Sequence, residues 1–305
     1  MTTVISSIIG STVYHMEIDE SDTNNLLLST WYQLLTYNTR ENKLTSIAGN
    51  SSATRGGYRD GVGEEALFYR ITGFSQINTR TVVVVDRLNF CLRHIDRYTG
   101  RVSNYAGVCE SGGNEDGAAY QAKFHNPQSV YVNKNDNTNL IVTDIYNKAL
   151  REVSTITQRV ITLMSVEPYT PLAIAWHPRN NSIIYISCDC AVITVDMTSV
   201  SSGYNTLTGS YCTEDRDKSW LNDIIFLTEQ TVLLTDTGYN QLYVYNINTN
   251  TTYSICTDER DSLDGDISQC KLYYPTSLLR DNNHIYVGQS NGIRKLSGMC
   301  VIIIL

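Results

Sequence analysis

Two segments of this sequence are copies of one another, and the duplication limits what the chain can fold into. Val85–Arg93 and Thr143–Arg151 have Asp, Asn, Leu and Arg at the same places, 58 residues apart (144 − 86). A second set recurs 56 residues apart (116 − 60): Asp60, Gly61 and Phe68 reappear as Asp116, Gly117 and Phe124. Repetition at a fixed period indicates an architecture built from copies of one supersecondary unit.

Each copy consists of residue types that form short β-strands separated by turns. The chain holds 21 Tyr and 5 Phe, and Tyr, Thr, Ile and Val suit a pleated, half-buried surface. Asn, Asp, Ser and Gly supply turns. In the second copy we predict four strands: Gln128–Val132, Asn139–Thr143, Ala149–Ser154 and Gln158–Met164. No stretch has helical periodicity over three turns, so the predicted class is all-β.

Fainter copies extend the pattern to six units of four strands. Such a unit cannot bury both faces of its sheet alone, and four strands per unit at this period are typical of a β-propeller blade. We predict one six-bladed β-propeller domain over residues 1–305, with blades at about 11–49, 64–107, 122–164, 170–210, 218–256 and 272–305. Residues 1–10 are a candidate strand for closing the ring, and Cys300–Leu305 are the alternative.

The repeated residues carry a family resemblance. The run from Ala106-Gly107 to Arg151 resembles an NHL repeat, and so does the preceding copy, from Ala48-Gly49 to Arg93. The resemblance implies a six-bladed propeller in which the repeated Asp and Asn stabilise turns. It also implies a platform that binds protein, RNA or carbohydrate, although lyases and lactonases occur in the wider six-bladed group. The fold alone therefore does not decide the function.

The repeated acidic and amide residues are predicted to have a structural role in each blade. A short carboxylate at a strand end accepts hydrogen bonds from the backbone N–H groups that follow it, as in an Asx turn. The residues concerned are Asp86, Asn89, Asp144, Asn147 and Asp236. A metal shared in the central channel is the alternative, although a catalytic residue normally occurs once and not in every repeat.

Three long loops are predicted to form a binding surface on one face. Each joins the outer strand of one blade to the inner strand of the next, and each carries an Asp-Gly pair. They are Gly49–Gly63 with Asp60 and Gly61, Val108–Ala119 with Asp116 and Gly117, and Thr257–Gln269 with Asp264 and Gly265. We interpret the chain as a non-catalytic recognition or scaffold module that binds a protein or other extracellular ligand through these loops.

The alternative function is that of a metal-dependent lyase or hydrolase with its site in the central channel. His125 and His177 stand beside proline turns at the predicted entry to inner strands, and they are the candidate ligands for Ca²⁺ or Zn²⁺. The simpler interpretation makes both of them loop residues. The sequence contains no nucleophile elbow, phosphate-binding glycine loop or His-Glu-Xaa-Xaa-His motif, so we predict no catalytic residue and no cofactor.

Six of the eight cysteines are candidates for disulfides. Residues equidistant from a hairpin turn face one another, which pairs Cys91 with Cys109 and Cys190 with Cys212. Cys256 and Cys270 bracket the third Asp-Gly loop. Cys188 and Cys300 are left unpaired or paired with each other. Buried thiols are the alternative, whereas zinc-finger spacing is absent.

Glycosylation motifs accompany these cysteines at Asn50, Asn180 and Asn250, each in a predicted loop or turn. No apolar run approaches the roughly 20 residues that span a bilayer, and no signal peptide is recognisable. We predict an extracellular or secretory-lumen location, as part of a larger protein or alone. The net charge of −8 disfavours nucleic acid as a partner, and we interpret the arginines between Arg80 and Arg101 as a solvated blade edge.

Overall fold

The computed structural model describes residues 2–5, 11–52, 55–207, 219–256, 270–281, 284–290 and 292–296. The fold is all-β, as the repeats predict. The described residues form six sheets of four main antiparallel strands in a propeller arrangement. Three short 3₁₀ turns interrupt them at Gly63–Glu65, Arg87–Asn89 and Val200–Ser202.

The chain divides into two compact units, Met1–Val13 with Leu172–Leu305 and Tyr14–Pro171. Strand β1 (Thr2–Ile5) belongs to the first of these. In the unit Tyr14–Pro171, blade 1 consists of β2 (His15–Ile18), β3 (Asn25–Ser29), β4 (Leu34–Asn38) and β5 (Lys43–Ala48). Blade 2 consists of the edge strand β6 (Gly61–Val62), β7 (Ile71–Gln76), β8 (Thr81–Asp86), β9 (Cys91–Asp96) and β10 (Arg101–Ala106). Blade 3 consists of the edge strand β11 (Gly117–Ala118), β12 (Pro127–Val132), β13 (Asn139–Asp144), β14 (Ala149–Ser154) and β15 (Arg159–Ser165).

The other unit contains three more blades. Blade 4 consists of β16 (Pro171–His177), β17 (Asn180–Cys188), β18 (Val192–Asp196) and β19 (Tyr204–Leu207). Blade 5 consists of β20 (Asp223–Phe226), β21 (Thr231–Asp236), β22 (Gln241–Asn246) and β23 (Thr251–Ile255). Blade 6 consists of β24 (Ser277–Arg280), β25 (Ile285–Gln289) and β26 (Gly292–Leu296), with β1 as its fourth strand.

The fourth strand of blade 6 comes from the beginning of the sequence. Thr2 pairs with Lys295 and Thr3 with Arg294 in an antiparallel ladder between β1 and β26. The other candidate for this place, Cys300–Leu305, lies outside the described residues.

Central strand β8 shows how neighbouring blades bury one another. Successive side chains of a strand point to opposite faces of the sheet. Val82 and Val84 accordingly lie in a buried cluster with Leu27 of blade 1. Val83 and Val85 lie in a second cluster, with Val130 of blade 3. An uninterrupted valine run is therefore required here, because both faces of the strand are covered by apolar neighbours.

The inner strands of blades 2 and 3 pack with almost no space between them. The Thr72 hydroxyl of β7 donates to the Gln128 carbonyl of β12 at 2.6 Å. A Cβ atom added to Gly73 would lie 2.8 Å from the Ser129 Cα atom. Because that neighbour is backbone, a larger residue at position 73 would have to push the two strands apart.

We expect Gly73→Ala to lower the free energy of unfolding by about 1–3 kcal/mol, the range found for overpacked interiors. Gly57→Ala is the matched control, since its added Cβ atom would meet only the Leu67 side chain, at 3.4 Å. Chemical denaturation of both variants measures the difference. Equal stabilities would contradict the close packing of β7 against β12.

Candidate functional site

The repeated aspartate and arginine of blade 2 form a buried ion-pair network. Arg93 is 0% exposed, and its Nη1 atom lies 2.9 Å from the Oδ2 atom of the equally buried Asp86. Its Nη2 atom lies 2.5 Å from the Oδ1 atom of Asp60, a residue of the first long loop. One guanidinium therefore joins β8, β9 and the loop that precedes blade 2.

Blade 3 repeats this network with the corresponding residues. The Nη1 atom of Arg151 lies 3.0 Å from Oδ2 of Asp144, and its Nη2 atom lies 2.7 Å from Oδ1 of Asp116. The guanidinium carbon of Arg151 also lies 5.3 Å from the centre of the Phe124 ring. The spacings of 58 and 56 in the sequence thus correspond to one network that the chain builds twice.

The repeated asparagines tie the loop tips to the same networks. Asn89 donates from Nδ2 to Asp86 and to the Gly57 carbonyl, at 2.8 and 2.9 Å. Asn147 donates in the same way to Asp144 and to the Gly113 carbonyl, both at 2.8 Å. Each loop is therefore held to its blade at two points, one through arginine and one through asparagine.

Because these charged groups are buried, separating them costs free energy. Burial raises the pKa of Asp86 and of Asp144 to about 6, while the adjacent arginines and the hydrogen-bond donors oppose that shift. At neutral pH the carboxylates therefore stay ionised and paired. Removing one partner of a buried pair leaves an uncompensated charge, which is strongly destabilising.

Asp236 of blade 5 has a different set of partners. Its Oδ1 atom accepts from the backbone N–H groups of Gly238 and Tyr239 at 3.0 and 3.1 Å, which is the Asx-turn pattern that the sequence suggests. Asp236 also accepts from the Trp220 N–H before the inner strand, at 3.2 Å, just as Asp86 and Asp144 accept from the N–H groups of Tyr69 and His125. Seven residues after Asp236 stands Tyr243, where the other two blades have arginine.

The Asp-Gly pairs of the first two loops lie along the outer edges of blades 2 and 3. Gly61 is in β6, which pairs with β10, and Gly117 is in β11, which pairs with β15. The Asp60 side chain is 50% exposed and that of Asp116 is 46% exposed. The third pair, Asp264 and Gly265, lies outside the described residues.

Two predicted disulfides are confirmed. Cys91 bonds to Cys109, and Cys256 bonds to Cys270. Cys190 is disulfide-bonded too, whereas its predicted partner, Cys212, lies outside the described residues, as does Cys300. Cys188 is a free, buried thiol whose pKa is raised well above its usual value by burial.

The three glycosylation motifs have accessible asparagines. Asn50 is half-buried beyond the end of β5, and Asn180 is exposed at the start of β17. Asn250 is exposed in the turn between β22 and β23. Attachment of a glycan at these positions remains a prediction.

The two histidines occupy different ends of their inner strands. His125 precedes β12, as predicted, and its ring lies edge-on to Tyr146 at 4.9 Å. His177 is the last residue of β16 rather than a residue before it, because the strand extends through the segment that the sequence suggested to be a turn. In the described part of the chain, no three His, Cys, Asp or Glu side chains are grouped as metal ligands.

A cluster of arginine and aromatic residues that no sequence motif marks lies where the chain enters the inner strands of blades 2 and 3. The Arg70 guanidinium carbon lies 5.2 Å from the centre of the Tyr14 ring and 5.0 Å from that of the Trp31 ring. A cation over an aromatic face is attracted by the ring quadrupole. The Arg70 side chain at the start of blade 2 therefore contacts two aromatic rings that flank the first strands of blade 1.

Arg87 lies beside Arg70 and extends the cluster to blade 3. Its backbone N–H donates to the Arg70 carbonyl at 3.1 Å. Its side chain donates from Nε to Asn126 at 3.1 Å and from Nη1 to Gln128 at 2.7 Å. Burial lowers the pKa of Arg87 to about 10, and the nearby Arg70 charge acts in the same direction. Arg87 nevertheless stays charged at neutral pH.

We call this group the entry cluster, and it consists of Tyr14, Trp31, Arg70, Arg87, His125 and Tyr146. Its members come together because the inner strand and the second strand of a blade are antiparallel. The residue before the inner strand and the turn after the second strand therefore lie at the same end of the sheet. The backbone bonds from Arg87 to Arg70 and from Tyr146 to His125 join these positions, each at 3.1 Å. The repeats mark these positions, but the residues at them differ between blades, so repetition did not single them out.

A separate groove of about 490 Å³ lies on the same unit, away from this cluster. It is open and is lined by hydroxyl, amide and charged side chains of β4 and β5 together with the turn at Arg97–Gly100. The Arg97 guanidinium forms an ion pair with Asp19. Its charge is therefore already compensated within the protein.

The remaining arginines near Arg87 do not form one solvated edge. Arg93 is buried in the network of blade 2, and Arg97 forms an ion pair with Asp19. The Nη2 atom of Arg80 lies 2.6 Å from the Oδ2 atom of Asp96. The interpretation of this segment as a solvated edge thus applies to Arg80 and not to the buried Arg93. Each of these charges has an acidic partner.

Comparison with known proteins supports the fold through structure and not through sequence. No family model and no curated protein sequence matches the chain. The NHL family suggested by the repeats therefore stays a prediction. No helix among the described residues has the length and apolar character needed to cross a membrane.

Solved structures match over most of the chain. A chain of a nidogen/laminin complex matches with a TM-score of 0.60 and 10% identity, over 88% of this chain and 87% of that one. A nutrient-binding protein from Bacteroides thetaiotaomicron matches with a TM-score of 0.69 and 10% identity, over 93% and 68%. Virginiamycin B lyase from Staphylococcus aureus matches with a TM-score of 0.57 and 11% identity, over 95% and 96%. At such identities the similarities show the fold alone.

We expect Arg151→Met to lower the free energy of unfolding by about 3–5 kcal/mol, because it leaves the buried Asp144 carboxylate without its ion-pair partner. Arg159→Met on the adjacent strand β15 is the control. Arg159 is exposed, and exposed substitutions usually change stability by less than about 0.5 kcal/mol. Denaturant titration measures stability, and hydrogen exchange of residues 108–119 reports release of the loop. Slow exchange in the Arg151→Met variant would contradict the anchoring role.

Proposed function

We propose that this chain is a non-catalytic recognition module that binds a protein partner through the loops of blades 2 and 3. The observation that supports this proposal is the Asp–Arg–Asp network, which occurs in both blades and fixes both loops. A loop held in one shape loses little conformational entropy on binding, which favours affinity. Asp60 and Asp116 belong to the proposed loops and also anchor them.

The proposed surface is the entry surface, which we define as the entry cluster together with the loop tips 55–58 and 110–114. The second tip is tied down by a bond from the Glu110 N–H to the Asn89 carbonyl, at 2.7 Å. The disulfide between Cys91 and Cys109 closes the base of the same loop. Tyr69 and Tyr146 are exposed at this surface, and exposed tyrosine is enriched in protein interfaces.

A photo-crosslinker placed at this surface tests the proposal. Tyr146 lies in the turn between β13 and β14 and is 62% exposed, and Ile156 lies in the opposite turn of the same blade and is 73% exposed. With benzoylphenylalanine at position 146 we expect a covalent adduct with one partner protein from the native source, and none with the same group at position 156. Equal adducts at both positions, or none at 146, would contradict the proposal.

We also propose an extracellular or secretory-lumen location, where disulfides persist. The bonds Cys91–Cys109 and Cys256–Cys270 and the accessible Asn180 and Asn250 support it. The Asp-Gly element of the third loop, at Asp264 and Gly265, is proposed to contribute to binding as the other two do.

Non-reducing peptide mapping of the protein from its native source tests this location. We expect peptides linked through Cys91–Cys109 and Cys256–Cys270, and a Cys188 that reacts with iodoacetamide only after denaturation, because it is buried. Glycosidase treatment should reduce the mass of peptides that contain Asn180 or Asn250. Free thiols at all four bonded positions would refute an oxidising compartment.

A further inference from the structure

We propose that Arg70 and Arg87 form a binding site for a carboxylate, presented by an acidic segment of the partner protein. This inference rests on the proposed recognition function and adds the chemistry of the partner. It depends on three features of the entry cluster: uncompensated charge, an unusual backbone conformation at Arg70, and two adjacent aromatic rings that contact the Arg70 guanidinium.

The two guanidinium groups lack an acidic partner in the described residues. Four other arginines of this unit do form ion pairs with aspartates, namely Arg80, Arg93, Arg97 and Arg151. Arg87 donates only to the neutral amide oxygens of Asn126 and Gln128. Two like charges placed together repel, and the interaction is stronger where water is excluded. An anion between them would offset this repulsion.

Arg70 lacks any hydrogen bond from its side chain to described residues. Its Nε atom is buried and has no hydrogen-bond partner. Arg93 and Arg151 also leave Nε unpaired, but their Nη atoms bind carboxylates. At Arg70 the guanidinium instead lies against the Tyr14 and Trp31 rings. The two Nη groups of Arg70 therefore stay available to an acceptor, and a carboxylate can accept two parallel hydrogen bonds from them.

The backbone conformation at Arg70 is energetically unfavourable for a residue other than glycine. Its φ angle is +74°, in the left-handed region, where residues other than glycine, asparagine and aspartate are uncommon. The corresponding residue of blade 3, 56 positions later (126 − 70), is Asn126 with φ +62°. Asparagine is the easier residue at this position, so the fold does not require arginine there. Strained residues of this kind cluster at ligand sites.

An acidic peptide fits this surface better than a nucleic acid does. The site offers two positive charges, whereas the adjoining loop contains Glu110 and Glu115, and the chain carries a net charge of −8. Nucleic-acid affinity depends on neutralising many phosphates, and two arginines neutralise few of them. A single Asp or Glu side chain of a partner protein needs only these two arginines. Exposed Tyr146, beside His125, offers an aromatic contact for the neighbouring residue of that segment.

Fluorescence anisotropy with a labelled hexaglutamate peptide at low ionic strength tests the site on the full chain. We expect saturable binding that weakens as salt is added, and no binding of hexaglutamine or hexalysine. Arg70→Asn and Arg87→Gln should each weaken binding at least tenfold. Arg159→Gln, which removes an exposed arginine of the same unit outside the cluster, should change it by less than twofold.

Thermal stability separates a binding role from a structural one. Arg70→Asn places the residue of blade 3 at the equivalent position and removes a repulsive charge, so its melting temperature should equal or exceed that of the wild type. A lower melting temperature together with unchanged hexaglutamate binding would overturn the proposal. So would tighter binding of hexauridylate than of hexaglutamate, or no binding of hexaglutamate to the wild type. If position 146 still crosslinks to a partner in those cases, the recognition function stands and only the carboxylate site fails.

Discussion

The guanidinium groups of Arg93 and Arg151 are the interaction on which the loops of blades 2 and 3 depend. Each is fully buried, and each is paired with one buried aspartate from its own blade and one half-exposed aspartate from a loop. Burying charge is unfavourable unless every member is paired. The loop must therefore occupy its place for the core to be satisfied, so loop shape and blade stability are coupled.

This coupling explains why the sequence repeats are easy to see in two blades and faint elsewhere. A network of Asp, Asn and Arg tolerates no conservative exchange, since lysine cannot reproduce the two-pronged geometry of arginine. In blade 5, where Tyr243 stands in place of the arginine, Asp236 uses nearby backbone donors instead. Without a buried arginine network to maintain, the sequence of blade 5 is less constrained and differs more from that of blades 2 and 3.

Strand number, blade order and two disulfides could be predicted because they follow from local patterns. The valine run of β8 and the equal distances of Cys91 and Cys109 from their turn are properties of short segments. The entry cluster could not be predicted in this way. Tyr14, Arg70 and Tyr146 come from three blades, and nothing in the spacing of single residues shows that propeller geometry brings them together. The left-handed backbone at Arg70 is likewise invisible without coordinates.

The pairing of Thr2 with Lys295 has a consequence for biogenesis. During translation β1 must remain unpaired until β26 has emerged, and such distant pairings are slow to form. Until the two strands pair, the unpaired hydrogen-bonding groups of β1 can pair with any other extended chain. In cells that produce this protein in quantity, a chaperone that covers β1 during synthesis would therefore raise the yield of molecules in which β1 and β26 are paired.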